Sequence, residues 1–105
     1  MFDFFKTMFK EKTAIDYSQL KKRGAQIIDV RTPGEYSAGH IKGSVNIPLN
    51  TLAAHLPKIS HSKPVITCCA SGMRSASARQ ILMNKGFEEV YNGGPWRVLE
   101  HKLEA

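Results

Sequence analysis

Cysteine is scarce in this chain, and long hydrophobic runs are absent. Its 105 residues hold two cysteines, the adjacent Cys68 and Cys69. Two adjacent cysteines exclude a disulfide scaffold, because scaffolds of that kind need several bridges between distant positions. No group of Cys and His residues has the spacing of a zinc site. No apolar run approaches the roughly 20 residues that a membrane-spanning helix requires. The sequence therefore argues against a disulfide-rich, a zinc-stapled and a membrane-spanning protein.

The first ten residues lack the basic segment and continuous apolar stretch of a secretory signal peptide. We therefore expect a cytoplasmic protein, in which both thiols stay reduced.

Size and composition indicate a single globular domain, and the net charge favours anionic partners in general. A chain of 105 residues with 42% hydrophobic residues can bury a core without covalent staples. Fifteen Lys and Arg against nine Asp and Glu give a net charge of +6, which favours anionic partners. The basic residues are spread along the chain, and their longest run, residues 21–23, is typical of a solvated helix end. We therefore expect no nucleic-acid partner.

Residues 1–12 form an amphipathic segment that differs in composition from the rest. Four of the five phenylalanines lie here, and Phe2, Phe5 and Phe9 would share one face of a helix. Two interpretations stay open: a short helix docked on the domain, or contact of residues 1–10 with a membrane or a partner. We favour the docked helix and place the domain itself at residues 13–105.

From residue 13 onward, short β-branched runs alternate with helical stretches. The runs that predict strands are residues 26–30, 44–47, 64–68 and 89–91. Helices are predicted at residues 75–85 and 95–103, and Thr32 and Glu35 form a capping box that starts another. This alternation predicts an α/β fold with a largely parallel sheet. Sites in such folds form where the carboxyl ends of strands meet the following helices.

Cys69 stands at such a junction, between the strand at 64–68 and the helix at 75–85. Loop amides and the positive end of the helix favour an anion there and should lower the pKa of a cysteine thiol. Gly72 allows a tight loop, and Arg74 could hold a doubly charged oxyanion against the sulfur. Cys68 should point to the opposite face of the sheet, so we expect it to be buried and inert.

Two separated stretches resemble the rhodanese-like sulfurtransferases. The first, residues 28–49, contains the motifs Asp29-Val30-Arg31, Glu35-Tyr36, Gly39-His40-Ile41-x-Gly43 and Asn46-Ile47-Pro48. The second is Cys69-x-x-Gly72-x-Arg74-Ser75, and Asn92-Gly93-Gly94 with Trp96 resembles the closing turn of the family. The likeness runs roughly from Thr13 to the end. It departs at Ser44, where Ala is common, and at Cys68, where relatives often carry an aromatic or aliphatic residue.

The resemblance implies a three-layer α/β domain with a five-stranded parallel sheet between helices. Cys69 would be the nucleophile that takes a sulfane sulfur from a small anionic donor such as thiosulfate and holds it as a persulfide. It would then pass the sulfur to cyanide or to a thiol such as glutathione or thioredoxin. The cradle would consist of Ala70, Ser71, Gly72, Met73, Arg74 and Ser75. Asp29 and Arg31 would support it, and neither a cofactor nor a metal is implied. We expect a monomer.

Two other functions stay open at this point. The domain could be a persulfide carrier or binding module supplied by another protein. Counted from Cys68, the loop also reads Cys-x5-Arg, the pattern of cysteine phosphatases and arsenate reductases, although Thr67 stands where those enzymes often carry His. His40 is interpreted as a packed, hydrogen-bonded structural residue, and Tyr91 and Trp96 as core residues.

Overall fold

The computed structural model describes residues 15–104 as four parallel strands with helices on both sides. The amphipathic segment predicted at residues 1–12 lies outside the described residues. In chain order the helices and strands are α1 (Tyr17–Lys22), β1 (Gln26–Asp29), α2 (Pro33–Ser37), β2 (Val45–Asn46), two 3-10 helices (Leu49–Ala54 and Leu56–Lys58), β3 (Val65–Cys69), α3 (Met73–Asn84), β4 (Val90–Pro95) and α4 (Trp96–Glu104). The expected α/β class is therefore confirmed.

The strands lie in the order β2-β1-β3-β4, all parallel. The register places Ile28 of β1 beside Val45 of β2 and beside Thr67 of β3. The expectation of five strands is corrected to four for residues 15–104. Four β-branched runs are present in this range and each forms one strand, whereas the fifth strand was implied by the family resemblance alone.

Two hydrophobic clusters, one on each face of the sheet, produce the expected three layers. One face packs against α3 and the 3-10 helices, through residues such as Leu52, Ala78 and Leu82. The other packs against α1 and α4, through residues such as Leu20 and Leu99. All five residues of β3 are buried because helices cover both of its faces.

Strand β4 is longer than the predicted run because it continues past Tyr91 through Gly93 and Gly94 to Pro95. A Cβ atom added at Gly93 would lie 2.7 Å from Leu99 Cδ2 and 2.9 Å from the carbonyl oxygen of Thr67. Only glycine allows β4 to approach β3 and α4 this closely. The pairing of β3 with β4 shifts register between Thr67 and Cys69, immediately before the loop that follows.

Local sequence signals set the helix ends. Thr32 and Glu35 form the predicted capping box of α2, with both reciprocal hydrogen bonds present. Helix α3 begins at Met73, two residues before the predicted start, because Gly72 takes a left-handed conformation (φ 100°, ψ −10°) that turns the chain directly into the helix. Within residues 15–104, no helix has the length and apolar character needed to cross a membrane.

Candidate active site

The two adjacent cysteines at the end of β3 lie on opposite faces of the sheet. Cys69 belongs to the cluster that faces α3, and Cys68 to the cluster that faces α1 and α4. Both residues are fully buried and neither forms a disulfide. The predictions that Cys68 is buried and that the two thiols point apart are therefore confirmed.

The sulfur of Cys69 is surrounded by hydrogen-bond donors from the loop that follows it. The backbone N–H of Gly72 donates to Sγ at 2.9 Å and that of Ser75 at 3.4 Å, while the Ser75 hydroxyl oxygen lies 3.4 Å from the sulfur. Burial on its own would raise the pKa of Cys69. The hydrogen bonds from Ser75, Gly72 and Ser71 outweigh that effect and lower the pKa below its usual value. This direction agrees with the expectation from the sequence.

Ser75, in the first turn of α3, connects several parts of this site through hydrogen bonds. Its hydroxyl lies 2.6 Å from Asn92 Oδ1 and 3.1 Å from the carbonyl oxygen of Gly72. The buried hydroxyl of Thr67 donates to the carbonyl oxygen of Ser75 at 2.8 Å. Strand β3, helix α3 and the turn after β3 are therefore linked around Cys69 by one network of hydrogen bonds.

Asn92, in the middle of β4, joins this strand to the network. Its Oδ1 also accepts from the backbone N–H of Gly94 at 2.9 Å, and its carbonyl oxygen accepts from the Tyr17 hydroxyl at 3.2 Å. The resemblance identified residues 92–94 as a closing turn, but the contact between the Asn92 amide and Ser75 could not be read from the sequence. The two residues are 17 positions apart and meet only because β3 and β4 are paired.

Arg74 forms an ion pair with Glu35 rather than lying free above the sulfur. Its Nη1 and Nη2 donate to Glu35 Oε1 and Oε2 at 2.7 and 3.0 Å. The Arg74 hydrogen bond and the Thr32 backbone N–H lower the pKa of Glu35 to about 2, so that its carboxylate is charged at neutral pH. The Glu35 hydrogen bond is also the main cause that raises the pKa of Arg74, and the charge of Cys69 adds to it.

A cavity of about 310 Å³ lies on one side of Arg74. Its lining is largely apolar and consists of Val30, Thr32, Pro48, Leu49, Asn50 and Arg74. The cavity therefore offers room for an organic group next to a guanidinium.

Asp29 and Arg31 form a buried ion pair at the carboxyl end of β1. Arg31 Nη2 lies 2.7 Å from Asp29 Oδ2, and the two side chains are 5% and 0% exposed. Arg31 also donates to the carbonyl oxygen of Gly39 at 2.7 Å and stacks on the ring of Trp96. Asp29 lies beside Cys68 in the register of β1 and β3, so this pair supports the sheet edge from which the loop emerges.

The pKa of Cys68 is shifted in the opposite direction to that of Cys69. Burial raises the pKa of its thiol to about 12, and the nearby Asp29 carboxylate adds to the shift. A thiol in this environment stays protonated at neutral pH.

The remaining loop residues lie at the surface. Ala70 and Ser71 are exposed, and Met73 is 79% exposed. The side chain of Cys69 therefore lies beneath residues whose own side chains face solvent.

His40, Tyr91 and Trp96 lie away from the Cys69 sulfur. His40 is hydrogen-bonded and packed on a neighbour as expected, since its Nδ1 is 2.7 Å from the carbonyl oxygen of Tyr36 and its ring stacks on that tyrosine, but in the turn after α2 it is exposed. Tyr91 and Trp96 are half-buried and pack against the cluster shared by α1 and α4. None of the three touches the Cys69 sulfur among the contacts of the described residues.

The rhodanese-like domain family matches residues 13–94 of the chain. An uncharacterized protein of Bacillus subtilis (strain 168), YqhL, is 41% identical over 87 residues, which cover 83% of this chain and 65% of that protein. Thiosulfate sulfurtransferase GlpE of Pseudomonas aeruginosa (strain LESB58) is 34% identical over 74 residues, covering 70% of this chain and 67% of GlpE. The match thus spans about two thirds of the length of these two relatives.

A solved structure of a rhodanese also resembles this chain. The rhodanese with anions from E. coli is 32% identical, with a TM-score of 0.61, over 70% of this chain and 89% of that one. The match to the family extends over the strands, the loop after β3 and the turn at residues 92–94. The chain therefore belongs to the rhodanese-like domain family.

Proposed function

We propose that this protein is a sulfurtransferase that moves a sulfane sulfur through a persulfide on Cys69. The observation that carries the proposal is the set of hydrogen bonds to the Cys69 sulfur, which lower the pKa of its thiol although the residue is fully buried. A thiolate held by fixed backbone N–H groups is a ready nucleophile. Relatives named thiosulfate sulfurtransferase support the same chemistry.

In the first half-reaction, the Cys69 thiolate attacks the outer sulfur of thiosulfate. A new S–S bond forms at Cys69, and the bond to the sulfonate sulfur breaks. Sulfite leaves with the bonding electron pair, so the charge of −3 on the reactants is kept by the persulfide anion and sulfite. The loop N–H groups that hold the thiolate are placed to stabilise negative charge on sulfur through this exchange.

In the second half-reaction, an acceptor attacks the terminal sulfur of the persulfide. Cyanide takes this sulfur and leaves as thiocyanate, whereas an acceptor thiolate takes it and leaves as its own persulfide. In both cases the Cys69 thiolate is regenerated. Glutathione and thioredoxin are the thiol acceptors that we propose to test. No proton has to be removed from Cys69 in either step, so the reaction requires no general base.

Access to the sulfur requires a local movement of the loop. Cys69 has no exposed surface, whereas Ala70 and Ser71 are exposed. We infer that a donor reaches Sγ when this outer part of the loop shifts while the Gly72 and Ser75 hydrogen bonds are kept.

Intact-mass analysis tests the proposal directly. Wild type, Cys68→Ala and Cys69→Ala are each incubated with thiosulfate and then with cyanide. We expect wild type and Cys68→Ala to gain one sulfur atom that cyanide removes, and Cys69→Ala to gain none. A sulfur gain that survives in Cys69→Ala would contradict the assignment of the nucleophile.

A persulfide carrier is a second candidate, favoured by the pairing of Arg74 with Glu35. Glu35 compensates the charge of Arg74, so the guanidinium attracts a small dianion less strongly. A carrier would take sulfur from a protein persulfide and little from thiosulfate. Comparing the two donors in the same mass assay separates the carrier from the thiosulfate enzyme.

The phosphatase alternative receives no support from the environment of Cys68. The raised pKa of that thiol, near 12, and its position on the opposite face of β3 both argue against a phosphate-binding nucleophile. Hydrolysis of an aryl phosphate that depends on Cys68 would reverse this reasoning.

A further inference from the structure

We propose that Glu35 is a specificity-determining residue that disfavours dianionic donors, so that the site takes singly charged organic donors in preference to thiosulfate. The proposal rests on the sulfurtransferase function above and concerns the charge of the donor. It starts from the Glu35–Arg74 ion pair, which occupies the one cation of the loop at residues 70–75.

The ion pair is held in place from the Glu35 side. Glu35 Oε1 accepts from the Thr32 backbone N–H at 3.0 Å and from the Thr32 hydroxyl at 3.1 Å, while it also receives Arg74 Nη1 at 2.7 Å. Moving the carboxylate away from Arg74 would therefore disturb the cap of α2. Arg74 is thus paired with a carboxylate that also caps α2.

The charged side chains that surround the loop cancel one another. Asp29 neutralises Arg31 in the buried pair, and Glu35 neutralises Arg74 in the half-exposed one. The charge of Cys69 acts on Arg74, so the guanidinium and the thiolate are within electrostatic reach. A dianion that approaches the thiolate meets backbone N–H groups and a cation whose charge is already compensated. Binding a second negative charge gains little there, because a nearby carboxylate repels it.

The cavity beside Arg74 favours donors that carry an organic group. Val30, Pro48 and Leu49 give it an apolar wall, and its volume of about 310 Å³ exceeds what an inorganic ion requires. The remaining N–H groups of Arg74 can still orient one negative charge at its edge. An organic persulfide or thiosulfonate, with one charge and an apolar part, satisfies both features.

The test compares Glu35→Gln with a matched control. Gln keeps the capping-box hydrogen bonds but removes the charge. Glu89→Gln makes the same charge change in a second two-point ion pair, formed with Arg23 at the opposite end of the strands. Two donors are used: thiosulfate, a dianion, and methanethiosulfonate, in which a methyl group replaces one charged oxygen. With the second donor, the Cys69 thiolate forms the same persulfide and methanesulfinate leaves.

We expect Glu35→Gln to lower the KM for thiosulfate about three- to tenfold, a range appropriate for a half-exposed charge pair. The KM for methanethiosulfonate should change less, about two- to threefold, because it carries half the charge. Glu89→Gln should leave both values unchanged. The proposal would be overturned if Glu35→Gln changed the KM for both donors by the same factor. It would also be overturned if Glu35→Gln and Glu89→Gln changed the KM for thiosulfate equally.

A second readout does not depend on sulfur transfer. The rate at which Cys69 is alkylated by iodoacetate, an anion, is divided by the rate with neutral iodoacetamide, and peptide mapping assigns the product to Cys69. We expect Glu35→Gln to raise this ratio about threefold and Glu89→Gln to leave it unchanged. An unchanged ratio in Glu35→Gln refutes the role of Glu35 even if no persulfide forms. Absence of a persulfide with a raised ratio refutes the sulfurtransferase function alone.

Discussion

The hydroxyl of Ser75 should control the reactivity of Cys69, and Ser75→Ala tests this. While Cys69 is a thiol, the hydroxyl lies 2.6 Å from Asn92 Oδ1 and 3.4 Å from Sγ. When the thiol loses its proton, the hydroxyl can turn and donate to the sulfur. Because it gives up the Asn92 contact and the distance to sulfur is long, the net gain belongs at the low end for hydrogen bonds to charged groups, about 1.5 kcal/mol.

A loss of about 1.4 kcal/mol corresponds to a factor of ten in the ionisation equilibrium. Ser75→Ala should therefore raise the pKa of Cys69 and, well below that pKa, reduce the thiolate fraction roughly tenfold. A more basic thiolate is also more nucleophilic, by about threefold for this change at a Brønsted slope near 0.45. The alkylation rate should then fall about threefold below the pKa of Cys69 and rise about threefold well above it.

The assay is the pH dependence of alkylation by iodoacetamide, followed by mass spectrometry. Cys68 does not interfere because burial keeps its pKa near 12. Ser77→Ala, at an exposed serine of the same helix, is the control and should follow wild type at every pH. Faster alkylation of Ser75→Ala at all pH values would refute the reasoning, since it would mean that the hydroxyl mainly shields a buried sulfur.

Three further predictions concern stability and are read from urea unfolding. Arg31→Ala should lower the free energy of unfolding by about 3–5 kcal/mol because it leaves a buried carboxylate without its partner, whereas Arg23→Ala, in an exposed ion pair, should lower it far less. Burial raises the pKa of the Cys68 thiol from its ordinary value of 9.0 to about 12, so the protonated thiol contributes fully to stability below pH 9 and this contribution is lost as the pH rises. Between these two pH values, the free energy of unfolding of wild type should fall about 1.4 kcal/mol more per pH unit than that of Cys68→Ala. Gly93→Ala should destabilise by about 1–3 kcal/mol or more because its Cβ would lie 2.9 Å from a backbone oxygen, whereas Gly34→Ala, with open space around it, should not. Equal losses of unfolding free energy in Arg31→Ala and Arg23→Ala, or in Gly93→Ala and Gly34→Ala, would contradict these explanations. So would an unfolding free energy that falls equally with pH in wild type and Cys68→Ala.

Local signals in the sequence predicted the fold class and most helix and strand positions. The capping box at Thr32 and Glu35 starts α2, and α3 ends at Asn84, one residue from its predicted end. The position of Cys69 at the end of a buried strand followed from the same local pattern. These features were predictable because each depends on residues within a few positions of one another.

Features that depend on distant residues were not predictable in this way. The contact of Glu35 with Arg74 spans 39 positions, and that of Ser75 with Asn92 spans 17. The motif pattern suggested that Arg74 would be available for an anion, because a sequence does not show which side chain reaches the guanidinium.

The contrast between Cys68 and Cys69 shows which physical features select the nucleophile. Both side chains are fully buried, so desolvation alone would keep both thiols protonated. The left-handed Gly72 turns the chain so that N–H groups point at Cys69, whereas Cys68 faces apolar side chains and the Asp29 carboxylate. A single reversal of side-chain direction along β3 therefore gives two neighbouring thiols opposite pKa shifts. It follows that Cys69→Ala, which keeps Cys68 as its one thiol, should not react rapidly with iodoacetamide at neutral pH, whereas Cys68→Ala should react as fast as wild type.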